Sequence, residues 1–151
     1  MIDYGAPVEK GTVLARIDES IYQSLVNRSK AMVEQAKAAV ESAEAQVAQA
    51  EANVQRAVAD LGQMQAKITQ TDRDWRRAQR LGPSKALADA DYDTSESAFR
   101  TAKATLAVGE ATVNQTKAAL KDAQANVHKA QATLSDAQAA LNNAEINLGY
   151  C

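Results

Sequence analysis

The side chains able to do chemistry in this chain are few, and their spacing argues against catalysis. His128 is the only histidine. No cysteine or carboxylate cluster stands at metal-ligand spacing around it, and it falls on an outer helical position. Asp72 and Asp74, like Asp91 and Asp93, are two apart in sequence, which turns their carboxyl groups to different sides of a helix. Cys151, the only cysteine, is the final residue and excludes an internal disulfide. What remains is a group of guanidinium side chains, Arg73, Arg76, Arg77 and Arg80, just before Gly82 and Pro83. Arg77 is either one more solvated arginine of this group or, through its forked donors, a contact for carboxylates or exposed helix carbonyls on a partner. The chemistry to expect is recognition: no enzyme, no cofactor and no metal site.

The elements that position these residues are written in a hydrophobic rhythm. Apolar or small residues recur at alternating steps of four and three from Tyr22, Val26, Ser29 and Val33 through to Thr71, Trp75 and Ala78. The same rhythm returns from Tyr92, Ser95 and Phe99 to Ala144 and Leu148. A seven-residue repeat held for about eight heptads imposes a left-handed supercoil, because a straight helix of about 3.6 residues per turn would rotate the stripe away from its partner. Only Gly82 and Pro83 interrupt the run, so the pattern predicts two long helices folded back on each other as a stiff rod. Asp18 is placed to cap the first helix. Asp89 or Ser84 is placed to cap the second.

Composition agrees with narrow helix pairs. Aromatic residues make up 4% of the chain, with one Phe and one Trp, which is too few bulky groups for a globular core. The net charge is -2 and the charges are interspersed, so neither nucleic acid nor an anionic membrane surface is an expected partner. No apolar run approaches the roughly 18 residues of a membrane span, and no signal-peptide pattern opens the chain.

The arms can be registered from the sequence. With the turn centred near position 85, Val33 is level with Ala137, Val40 with Ala130 and Val47 with Ala123. Ala36 is level with Leu134, Ala43 with Val127, Ala50 with Leu120, Ala57 with Val113, and Leu61 with Gly109. Large meets small in each layer, which lets the backbones approach while the seam stays filled. Gly62 sits on an outer position with no packing reason. A second stripe of alanines, including Ala52, Ala59, Ala111 and Ala118, runs along the outer edges. It either stiffens an exposed helix or packs neighbouring hairpins side by side.

The first residues differ in kind. Gly5-Ala6-Pro7-Val8-Glu9-Lys10-Gly11 reads as a turn, and Thr12 to Ile17 as a short strand that flows into the helix. At the other end Asn147-Leu148-Gly149-Tyr150 closes where an extended segment would begin. With the long hairpin between them, these segments resemble the split lipoyl-like, or barrel-sandwich hybrid, domain of the HlyD-type periplasmic adaptor family, the membrane fusion proteins. The resemblance implies a mainly α fold: a long antiparallel two-helix coiled-coil hairpin with a short partial β segment at its base. It implies a half lipoyl-like motif over 1–18 and a helical hairpin over 19–148. Within the hairpin, helix one runs over about 19–81, the tip over about 82–90 and helix two over about 91–148; the second lipoyl half starts at 149–151. The lysine that carries lipoate or biotin in related domains has no counterpart, and Lys10 belongs to the turn.

Adaptors that meet TolC-like outer-membrane channels carry an arginine, a leucine four residues on and a serine seven further. Arg77 and Leu81 match in type and spacing, and Ala88 stands at the serine position. The resemblance implies docking of Arg77, Leu81 and the Ala88 region on an outer-membrane channel; lateral packing through Ala52, Ala59, Ala111 and Ala118 stays one of the two readings of the alanine edges. It further implies a periplasmic protein attached to the inner membrane, in drug efflux or secretion, and hairpins this long resemble those of the macrolide-exporter type. Such an adaptor joins an inner-membrane transporter through domains this excised hairpin lacks, and assembles as a ring, commonly a hexamer. The alternative is a cytoplasmic structural coiled-coil scaffold, which would have no need of the turn and strand before the first helix.

Overall fold

A computed structural model describes residues 18–81 and 88–150. Two helices account for nearly all of them, α1 over Ser20–Leu81 and α2 over Asp89–Gly149. No strand occurs among the described residues. The expected lipoyl-like half-motif, apart from Asp18, lies outside them, as do tip residues 82–87 and Cys151. Glu19 is the N-cap of α1, its carbonyl accepting the Gln23 N–H at 2.8 Å, and Asp18 just before it supports the helix start: its Oδ1 accepts the Ser20 backbone N–H at 2.9 Å. That hydrogen bond holds the Asp18 carboxyl below its ordinary value of 3.8. A carboxyl depressed in the folded state stabilises at neutral pH. The contribution is lost as pH falls from the ordinary value through the lowered one.

The heptad seam is the buried surface. Every seam residue from Tyr22 to Ala78 and from Tyr92 to Leu148 is buried or half-buried. Among the described residues outside it only Asn53, Asp72 and Glu96 are sheltered, and each has a local partner. Asn53 accepts from Gln49 Nε2 at 3.3 Å, Asp72 pairs with Arg76 at 3.0 Å, and Glu96 pairs with Arg100 at 2.6 Å. The seam's buried polar residue, Thr71, donates its hydroxyl to the carbonyls of Lys67 and Ile68, both at 3.1 Å. No buried side-chain polar atom lacks a partner among the described residues, so the narrow core carries no desolvation debt.

The chain divides into two compact units. In the first, α1 up to Ser42 pairs with α2 from Val127. Val26, Val33 and Ala36 are its buried residues, and Val26 is 2% exposed. Lys30 Nζ reaches Glu145 Oε1 across the arms at 3.9 Å, an exposed pair that adds about 0–1 kcal/mol at most. Ile21, Leu25, Met32 and Ile146 are exposed there.

The second unit covers residues 43–126. Ala43, Ala57, Thr71, Ala78, Ala102, Gly109 and Val113 are buried in it. At Gly109 side chains of α1 come directly against the α2 backbone. A methyl group placed there would stand 2.5 Å from Met64 Sδ and 3.1 Å from Leu61 Cδ1. Gly109 thus faces Leu61, as the large-against-small register expects, and Met64 fills the same gap. Gly62, on the outer face, would meet nothing within 4 Å. Toward the tip Trp75 and Tyr92 meet edge to face, ring centroids 4.9 Å apart at 61°, which contributes about 0.5–1.5 kcal/mol beyond the area they bury.

Two measurements follow from the two glycines and the register. Gly62→Ala should raise unfolding free energy by about 0.8–1 kcal/mol, the helix-propensity difference with no steric cost. Gly109→Ala should lower it, because overpacking of about 1–3 kcal/mol outweighs the same gain, and Met64→Ala should relieve part of that loss. Equal stabilisation by both alanines in urea titrations would contradict the close approach. With Cys151→Ser, the pair Val47→Cys and Ala123→Cys should oxidise within one chain, and Ala43→Cys with Ala123→Cys should not. The reverse order on non-reducing gels would exclude this register.

Candidate docking surfaces

The distal end of the hairpin is built by the last turns of α1 and the first turns of α2. Ala78 is 3% exposed and Trp75 is half-buried against Tyr92, so the seam consumes one face of α1 here and leaves the rest outward. Arg77 and Leu81 lie on that outward part. Arg77 Nη1 is 3.9 Å from Asp74 Oδ1, and its side chain is 68% exposed. A contact so long and so exposed leaves the guanidinium able to exchange partners. Leu81 closes α1 at 38% exposure. Arg76 differs from Arg77, being held by Asp72 at 3.0 Å.

Ala88 stands immediately before α2 and is exposed. Its carbonyl accepts the backbone N–H groups of Asp91 at 3.0 Å and Tyr92 at 3.1 Å, which makes Ala88 the N-cap residue. This corrects the expectation that Asp89 caps α2. Asp89 lies inside the first turn with Asp91, where both favour the helix through its dipole. Ser84, the other expected cap, falls outside the described residues. The position that the resemblance fills with serine is therefore a capping position, occupied here by a residue with no side-chain acceptor.

The lateral candidates Ala52, Ala59, Ala111 and Ala118 are all exposed on the outer faces of their helices. The arginines divide by position. Arg73 and Arg80 continue the outermost row of α1 that carries Ala52, Ala59 and Ala66, while Arg76 and Arg77 flank it.

A groove missed in the sequence runs beside the seam in this unit. It has a volume of about 880 Å³ and is lined by Met64, Lys67, Asp93, Ala98, Ala102 and Thr105, among others. Thr105 donates its hydroxyl to the Thr101 carbonyl at 2.9 Å and Thr94 to that of Ala90 at 2.7 Å, so both hydroxyls are engaged on their own helix. The sequence signal was the run of small α2 residues flanking the seam, opposite long polar residues of α1. No group of His, Cys, Asp or Glu side chains able to hold a metal ion occurs among the described residues. No described helix is long and apolar enough to cross a membrane.

Comparison with known families places this geometry. Residues 53–121 match the family model described as RND MFP, alpha-helical hairpin domain. No curated protein and no solved structure matches the chain. The matched stretch lies wholly within the second unit and takes in parts of both α1 and α2. The HlyD and macrolide-exporter assignments are finer than this match. The likeness to the membrane fusion proteins thus rests on residues 53–121, the stretch that matches the family's alpha-helical hairpin domain.

Proposed function

We propose that the chain serves as the hairpin of a periplasmic adaptor in an RND-type efflux assembly, joining an inner-membrane transporter to a TolC-like outer-membrane channel. Its tip docks on the channel through Arg77 and Leu81, and copies pack side by side through the alanine edges in a ring of six. The observation that carries the reading is the separation of duties at the distal end. The seam is closed by Ala78 and by Trp75 against Tyr92, while Arg77 and Leu81 remain on accessible surface. Forked donors beside an aliphatic group suit the carboxylates, exposed carbonyls and shallow grooves of a helical partner.

Because neither side chain belongs to the seam, changing them should spare the fold. In the full-length adaptor, Arg77→Asp or Leu81→Ser should abolish channel association and export, with helicity, melting temperature and transporter binding nearly unchanged. Normal export by both variants at wild-type expression would remove the docking proposal. Ala88→Ser should restore a side-chain acceptor at the N-cap and stabilise the hairpin by about 0.5–2 kcal/mol in denaturant titrations. An unchanged midpoint would contradict the capping geometry.

A further inference from the structure

Of the chain's three methionines, Met64 is the one that stands in the heptad seam. Met32 is 44% exposed on α1 in the first unit. Met1 lies outside the described residues. The Met64 thioether rests against the α2 backbone: a carbon added to Gly109 would stand 2.5 Å from its Sδ and 3.7 Å from its Cε. The same side chain borders two open hollows between the helices of the second unit. One is the groove of about 880 Å³ that it shares with Lys67 and Ala102; the other, of about 300 Å³, it shares with Arg56, Asp60 and Thr112. Met64 is half-buried, so packing holds its sulfur toward Gly109 while small solutes reach the residue from the hollows.

A thioether is open to mild oxidants, whereas the aliphatic residues packed around it do not react. A peroxide transfers one oxygen atom to Sδ: the sulfur gives up two electrons and gains an S–O bond, the peroxide O–O bond breaks, and hydrogen peroxide leaves as water. Reduction runs back through a dithiol, which becomes a disulfide while the oxygen departs as water; sulfoxide reductases use this chemistry. The sulfoxide is polar, and its oxygen needs a donor. Toward Gly109 there is no room for it, since even one added carbon would collide there. Toward the groove there is both room and a donor. Lys67, three residues further along α1 and so on a neighbouring face, is exposed and has no ion-pair partner among the described residues. The hydroxyls of Thr94 and Thr105 on the same groove already donate to their own helix.

We propose that Met64 is a reversible oxidation site. As the thioether it fills the layer of Leu61 and Gly109. As the sulfoxide its flexible side chain turns into the groove, where the Lys67 ammonium donates to the new oxygen, and the layer is left underfilled. The contact that separates the correct register from its neighbours then weakens, and the helices of the second unit part more readily around it. Oxidation of Met32 has no such effect, because that exposed side chain fills no layer. The device needs no partner, so it is independent of docking through Arg77 and Leu81.

The test treats the full chain, with Cys151→Ser, with graded hydrogen peroxide and reads the sulfoxide at each methionine by peptide mass spectrometry. Met64 should convert in the folded chain, within several-fold of the rate at Met32. With Met32→Leu added, the Met64 sulfoxide should lower the urea midpoint and speed amide hydrogen exchange several-fold in the turns around Leu61 and Gly109. Exchange around Val26 and Val33, in the first unit, should stay as it was. Sulfoxide reductases with dithiothreitol should restore both readings. Met64→Leu, which fills the seam without a sulfur, should hold its midpoint under the same peroxide dose while Met1 and Met32 still oxidise. Lys67→Ala should leave the reduced chain near its original midpoint and deepen the loss on oxidation. A Met64 that converts only in urea, a Met64 sulfoxide with the midpoint and exchange of the reduced chain, or an equal loss in Met64→Leu would overturn the oxidation site. A loss of the same size with and without the Lys67 side chain would overturn its seat in the groove.

Discussion

The close approach of α2 to α1 at Gly109 sets the terms for the distal unit. A glycine there lets the α2 backbone come against Leu61 and Met64, and a single added carbon would collide with Met64 Sδ at 2.5 Å. An antiparallel pair of repetitive seams is poorly protected against slipping by a heptad, since valine and alanine recur at every turn. One glycine facing one leucine breaks that degeneracy. It fixes which residues are level, and so which side chains of the two arms share the tip.

Because the seam takes almost all of the burial, little else is bound to the fold. Seam hydroxyls such as Thr71 are satisfied on their own helix, and apart from the long, exposed Lys30–Glu145 contact the ion pairs among the described residues stay within one helix. Individual surface pairs of this kind contribute about 0.2–0.5 kcal/mol. Removing them would loosen side chains without unfolding helices. The outward faces are therefore available for recognition, and the distal end concentrates it. There α1 ends on arginines, α2 begins on aspartates, and Trp75 against Tyr92 closes the seam beneath them.

The seam was fully legible because one physical rule, burial of every third or fourth residue, decides it without tertiary context. From Tyr22 to Ala78 and from Tyr92 to Leu148 no residue of the pattern is exposed. The facing of Leu61 with Gly109 was legible for the same reason: volume must be conserved across a layer. The start of α2 was not. Propensity favours Asp89 as a cap, yet the chain enters the helix one residue earlier, and Ala88 supplies only its carbonyl. The contact of Trp75 with Tyr92 was also unread, because rings reach diagonally between layers. The groove along Ala98, Ala102 and Thr105 depends on what flanks the seam, which the heptad rhythm alone does not weigh. The tip residues Arg77 and Leu81 were singled out by resemblance; the structure places them on accessible surface.

The central claim, that the accessible distal end of this hairpin meets an outer-membrane channel, is tested most directly by site-specific photocrosslinking in living cells. A photoreactive residue replacing Leu81 in the full-length protein should yield a covalent product whose second component is identified by mass spectrometry as an outer-membrane channel subunit. The same probe at Ile21, in the other unit, should not yield that product. A Leu81 probe that captures only cytoplasmic proteins, or a channel product of equal yield from Ile21, would contradict docking through the tip.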